Sequence, residues 1–315
     1  MAPKPFQFLA DAGGVMNARA LAELARRAEA AGYHGLVVSD HLVDKLAPVP
    51  AMAVVAAASD QLRMSAFVFN NDFRHPAVLA QDLASLDVLS DGRLDIGIGA
   101  GWRKVEYDGI GMTFDPVPVR SERLAEAVTV LKGLFADEPL SFDGSYYRIS
   151  DLDGQPKPVQ RPHPPFLIGG GGRRTLALAG REAQIVGFAP RIHANGRGDP
   201  LSFTMEATAE KLEWVRDAAG DRFDQLSFNV YPSMSQPSVT DNARDEIASL
   251  AAQLSEMGGS PISEQQVAES PHVMIGSAEG LAEKFVMLRE RLGITSFLVG
   301  DVGPMDAVVG RLAGS

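Results

Sequence analysis

The chain has 315 residues, 45% hydrophobic and 22% charged, with no cysteine and a formal net charge of -11. Such a balance supports a large buried core and speaks against disorder, while the acidic total argues against a nucleic-acid or anionic-membrane surface, because phosphates would be repelled. The missing cysteines exclude disulfides, Cys-type zinc sites and thiol nucleophiles.

Met1 to Ala10 lacks the charged region and long apolar run of a signal peptide, and nowhere are there about 18 uninterrupted apolar residues for a membrane span. The expectation is a cytoplasmic protein with a small-molecule substrate.

Short apolar runs alternate with helical patterns from one end to the other. Phe6 to Ala10 is expected as the first strand. Asn17 then caps a helix whose apolar face carries Leu21, Leu24, Ala25 and Ala28, and Gly32 stops it. Gly35 to Ser39 reads as the second strand, Ala51 to Ala58 as a short helix, and Leu62 to Phe69 as the third strand. Pro76 opens a helix through Leu89, and Leu94 to Ile98 is strand four. Val119 to Phe135 is amphipathic through Leu124, Val128, Leu131 and Leu134. Ser141 to Tyr147 suggests a hairpin turning at Asp-Gly.

Phe166 to Ile168, Gln184 to Gly187, Leu226 to Val230 and Ile294 to Val299 complete eight strands. Helices are expected at Arg173 to Ala179, Glu206 to Ala219 and Ala278 to Leu292. His193 to Pro200 reads as a mobile loop, and Pro232 to Ser270 as a long insertion with some helical periodicity. The alternation implies an α/β fold: a single (β/α)₈ TIM barrel over residues 1–315, with insertion segments at its C-terminal face. A doubly wound open sheet is the architectural alternative.

Ser39-Asp40-His41 directly follows the second strand, where barrel enzymes place catalytic groups. A histidine there moves protons near neutral pH, and a carboxylate beside it orients the ring or binds a ligand. A capping Asp40 and a passively packed His41 account for the spacing equally well. Asn70 and Asn71 stand where strand three turns polar, and a turn before a proline-started helix explains them on local grounds. Gly97-Ile98-Gly99-Ala100-Gly101-Trp102 lets backbone approach a flat or anionic ligand, though packing explains it as well. Glu106 and Tyr107 follow closely enough to line the same mouth.

Gly169-Gly170-Gly171-Gly172-Arg173-Arg174 is the stronger signal, since amides at a helix start, backed by two arginines, form an anion site. The six histidines show no metal-ligand spacing, no Gly-x-Ser-x-Gly elbow is present, and no metal is expected.

Taken with Asn70 to Pro76, Leu86 to Trp102, Asp153 to Pro162, Gly169 to Arg174, and Ser270-Pro271-His272-Val273 with Gly276, these residues resemble the luciferase-like monooxygenase superfamily, particularly its coenzyme F420-dependent oxidoreductase branch. The resemblance covers nearly the whole chain. It implies a deazaflavin cofactor with its ring at the C-terminal strand ends, beside a non-prolyl cis peptide matching Phe67–Val68. It further implies His41, Asp40 and Glu106 as catalytic groups, Asp40 at the ring's polar edge, Asn70, Gly99, Gly101 and Trp102 around the cofactor, and Gly169 to Arg174 on its phosphate-bearing tail. A homodimer is implied as well. An FMNH₂-dependent monooxygenase is the neighbouring reading, with FMN as cofactor, and a non-catalytic flavin-binding barrel a third. Sugar-phosphate dehydrogenases of the superfamily carry an acidic residue at the position of Trp102 and a tryptophan at that of Lys45, which argues against a sugar phosphate here.

Overall fold

The computed structural model describes residues 4–43, 45–191, 198–258 and 260–315. Eight parallel strands recur along the chain: β1 Gln7–Asp11, β2 Gly35–Val38, β3 Arg63–Ala66, β4 Leu94–Gly99, β5 Phe166–Gly170, β6 Ile185–Phe188, β7 Ser227–Val230 and β8 Ile294–Leu298. They lie side by side as β3-β2-β1-β8-β7-β6-β5-β4. Met64 with Leu94, and Ser65 with Asp95, pair β3 back onto β4 and close the sheet into a barrel. That closing pair excludes the open doubly wound sheet.

The helices pack around the barrel: α1 Ala18–Ala30, α2 Pro48–Ala58, α3 Pro76–Leu89, α4 Lys104–Gly109, α5 Val117–Phe135, α6 Arg173–Glu182, α7 Met205–Ala219, α8 Ala243–Gly258, α9 Glu264–Glu269, α10 Ala278–Leu292 and α11 Asp306–Leu312. Local chemistry sets several ends. The Asn17 side chain accepts the Ala20 amide at 3.0 Å, Pro76 starts α3, and Gly293 ends α10 at φ +68.

Alternate strand residues divide the core. Phe8 and Phe297 point outward and meet Phe285 of α10 at ring-centroid distances of 5.5 and 4.4 Å. Leu9, Val37 and Leu298 form a separate apolar cluster with Phe67 and Tyr231. Glycine permits the tightest approach: a Cβ on Gly97 would stand 1.9 Å from the Ala66 carbonyl oxygen of β3.

Two expectations need correction, and the structure adds detail at two further places. Strand three is not one run: it stops at Ala66, and Phe69–Asn70 then pairs anew with β4 at Ile98 and Gly99. The hairpin is longer than its turn suggests, with strands Leu140–Asp143 and Arg148–Leu152, because the Glu126 carboxylate on α5 gathers the amides of Ser145, Tyr146 and Tyr147 at 2.8–3.1 Å. Two short helices, α4 and α11, lack a readable period. The insertion Pro232 to Ser270 contains α8 and α9, which enclose a small core of Phe203, Leu250, Leu254, Val267 and Val273. Residues 193–197 of the loop expected at His193 to Pro200 lie outside the described residues.

His272, beside that insertion, is fully buried, and its Nδ1 donates to the Tyr231 carbonyl oxygen at 3.0 Å. Burial, with the charge of Lys211 second, pushes its pKa down to about 3. The unfolded chain binds a proton at this imidazole below about 6.5 that the folded chain refuses until about 3. Stability from this group is therefore complete above that window and falls as pH falls through it, by about 1.4 kcal/mol per unit. Urea unfolding of His272→Asn between pH 6.5 and 4 is expected to show a shallower decline than the parent chain.

Candidate functional site

Phe67 leaves β3 and Tyr231 leaves β7, strands half-way round the barrel from each other. Their rings meet with centroids 5.5 Å apart at 75°. With Leu9, Val37 and Leu298 they make an apolar floor under the C-terminal mouth. The peptide between Phe67 and Val68 is cis. Burial pushes the Tyr231 phenol up to about 12, so it is protonated at neutral pH, and it donates to no described residue.

Around this floor the ends of β2, β3 and β4 are tied by charge. Asp40, 6% exposed, accepts from Arg74 Nη1 at 2.6 Å, from Arg74 Nη2 at 3.0 Å and from the Asn70 amide at 3.0 Å. The carboxylate thereby fixes the backbone just after the cis peptide. Asn70 Oδ1 and Asp72 Oδ2 each lie 3.0 Å from the Tyr107 hydroxyl. Tyr107 is fully buried and braces the bulge instead of lining the mouth, and burial, then Asp72, drives its pKa far upward.

His41 Nδ1 sits 3.1 Å from both carboxylate oxygens of Glu106. Glu106 also accepts the Leu42 amide at 3.2 Å and Arg103 Nη1 at 3.2 Å, so its charge is shared among three donors. A carboxylate facing Nδ1 places the neutral ring's proton there and leaves Nε2 as an acceptor. The His41 side chain is 24% exposed and that of Glu106 only 5%. Trp102 stands edge-on to His41 at 5.9 Å and is 49% exposed, an apolar wall at the rim.

Packing accounts for part of the glycine run. A Cβ on Gly99 would press on Val68, and one on Gly101, at φ +73, would meet the Tyr107 hydroxyl at 2.1 Å. Packing also accounts for the middle of the Gly169 to Arg174 block: a Cβ on Gly170 would press on Thr175 and one on Gly171 on the Pro190 carbonyl, whereas one on Gly169 would make only ordinary contact with the neighbouring strand. Gly172 opens onto free space at the start of α6, where no side chain caps the amides. Arg173 and Arg174 hold only distant ion pairs, 3.8 Å to Asp217 and 3.9 Å to Glu122, with side chains 71% and 63% exposed. Uncapped amides beside two exposed guanidiniums are an arrangement able to accept an anion.

The structure thus gathers Asp40, His41, Phe67, Val68, Asn70, Gly99, Gly101, Trp102 and Glu106 at one mouth, and sets Gly169 to Arg174 at the exit of β5, the strand paired with β4. Sequence reasoning missed Arg74, Arg103 and Tyr231. Arg103 carried a signal, lying three residues before Glu106 in an i,i+3 pair. Among the described residues no group of three or more His, Asp or Glu could hold a metal, and no helix is long and apolar enough to cross a membrane. Arg74→Ala leaves Asp40 charged and without its counter-ion. It is expected to lower the unfolding free energy by about 3 kcal/mol in urea, with Asp40→Asn in the same background restoring part of the loss.

Comparison with known proteins places these features. An FMNH(2)-dependent dimethylsulfone monooxygenase of Pseudomonas putida is 34% identical over 125 residues, 40% of this chain and 34% of that protein. An F420-dependent glucose-6-phosphate dehydrogenase of Microbacterium testaceum is 33% identical over 165 residues, 50% of this chain and 48% of its own length. The chain therefore spans about half or less of these curated relatives. An F420-dependent secondary alcohol dehydrogenase, solved in complex with an F420-acetone adduct, superposes with a TM-score of 0.74 at 20% identity over 98% of both chains, a likeness of fold. The family model described as luciferase-like monooxygenase matches residues 4–196, and by that match the chain belongs to the luciferase-like monooxygenase family.

Proposed function

We propose that this protein is an oxidoreductase that moves a hydride between the deazaflavin coenzyme F420 and a small organic substrate. The observation that carries the reading is the His41–Glu106 pair, which shares the C-terminal mouth of the barrel with an apolar cluster and with the uncapped, arginine-bearing start of α6. The residues fit such a cofactor. The uncapped amides of α6 with Arg173 and Arg174 would take its phosphate-bearing tail, and the small exit of β5 at Gly169 would leave room for a flat ring near the bulge at Phe67–Val68.

When bound, the deazaflavin supplies the two-electron chemistry. His41 Nε2 takes the proton of a substrate hydroxyl as the carbon is oxidised, or returns it in the reverse direction. Glu106 holds the ring and stabilises the imidazolium that forms. Asp40, already engaged by Arg74, steadies the bulge on which the ring would rest. Trp102 and the floor keep water from the reacting atoms.

The F420-dependent relatives support this cofactor, while the match to the FMNH(2)-dependent monooxygenase supports FMN on the same barrel, since one cradle suits either phosphate. A substrate unlike glucose 6-phosphate is favoured by Trp102 and Lys45. A homodimer in the cytoplasm completes the reading; for the pairing alone, the support is that Val78 and Leu89 are 58% and 70% exposed on the outer side of α3.

Titration of the purified protein with oxidised F420 and with FMN is expected to give micromolar or tighter binding of the deazaflavin and weaker binding of FMN. The opposite order moves the protein to the monooxygenases, and binding of neither removes the cofactor from the account. His41→Asn is expected to bind F420 as the parent does and to turn over about 10²–10⁴-fold more slowly, followed by the deazaflavin's visible absorbance. Unchanged turnover removes His41 from the mechanism.

A further inference from the structure

Among the described residues, Lys45 forms no ion pair. Its Nζ donates to Ser39 Oγ at 2.8 Å, and Ser39 is the first residue beyond β2, two before His41. A Cβ on Gly13 would stand 2.6 Å from the same Nζ, so the lysine lies across the loop that leaves β1. The bare Cα of Gly13 is what makes room for it.

The other charges of this mouth, among the described residues, are engaged. Asp40 is paired with Arg74, and Glu106 with Arg103 and His41. Asp11 Oδ1 accepts the Gly13 amide at 2.7 Å. Among the described residues no carboxylate comes within 4.0 Å of Lys45, and its only side-chain hydrogen bond goes to a neutral hydroxyl. An ammonium carries three donors, so two remain for a ligand. Ser39 accepts from Lys45 and thereby keeps its own O–H free to donate.

We infer that Lys45 and Ser39 form a subsite for a carboxylate, and that the substrate is an apolar carboxylic acid whose reacting carbon faces His41. This rests on the oxidoreductase reading above and names its substrate class. One ammonium and one hydroxyl match a monoanion held through two hydrogen bonds, one of them charge-assisted. A phosphate dianion asks for more positive charge than one lysine provides, and the nearby Asp11 carboxylate repels it further. The apolar body has its seat on Leu9, Val37, Leu298 and Phe67, with Trp102 at the rim.

The test is calorimetric titration with benzoate, with benzyl alcohol as neutral counterpart and with inorganic phosphate, on the full chain with and without saturating oxidised F420. Cofactor binding is read separately by its absorbance, so a failed cofactor assignment does not obscure the benzoate result. Benzoate is expected to bind the parent, to bind Lys45→Met about tenfold more weakly, and to recover in Lys45→Arg, with benzyl alcohol unaffected throughout. Lys45→Gln replaces the methionine variant should that one unfold. Equal benzoate affinity in the parent and the neutral variants, no benzoate binding by the parent, or phosphate binding more tightly than benzoate would each overturn the proposal.

Discussion

A carboxylate shut away from water must find its counter-charge close by, and at the barrel mouth Asp40 finds it in Arg74. The pair spans the exit of β2 and the start of α3, and its third partner is the Asn70 amide directly beyond the cis bulge. One interaction thus sets the distance between the strand that delivers His41 and the segment that forms the back of the mouth. The polar groups beyond it inherit that geometry. Asn70 presents its side chain to Tyr107, Tyr107 reaches Asp72, and Tyr107 belongs to the same short helix as Glu106, which holds His41. Few donors in this chain of contacts are spare, which is how a mouth built from loops keeps the precision expected of rigid elements.

Much of the architecture was legible because it rests on local signals. Asn17, Pro76 and Gly293 start or stop helices by their own chemistry, and the apolar runs of β2, β4 and β5 mark strands covered on both faces. What was hidden depends on partners distant in the chain. Glu126 rewrites the hairpin by collecting three amides about twenty residues away, and no spacing rule within that hairpin reveals it. Strand three looks continuous in sequence because Phe67 and Val68 are as apolar as their neighbours, and only the closed barrel shows the run interrupted there.

The site was partly legible for the same reasons. Asp40 and His41 stand at a strand end, where position itself is informative, and four successive glycines before two arginines mark a candidate anion site by composition. Arg74 sits in a segment that reads as an ordinary turn, and its role appears only once β2 and β3 are neighbours. Tyr231 was likewise unremarkable in sequence. It matters because β7 lies across the bore from β3, a relation created by closing the sheet.

The rim of this barrel is uneven. The exits of β1, β2, β3, β7 and β8 carry the bulky floor and the titratable groups, whereas those of β4 and β5 end largely in glycine. A bare backbone leaves little to vary: added atoms at Gly97, Gly101 or Gly171 collide with main chain or with a buried tyrosine. Side chains elsewhere on the rim are tied less tightly: the only side-chain hydrogen bond of Lys45 among the described residues goes to Ser39, and Trp102, beyond β4, is 49% exposed. Evolution and protein engineering therefore meet two different materials in one rim, backbone that admits no added atom and side chains whose exchange disturbs little else.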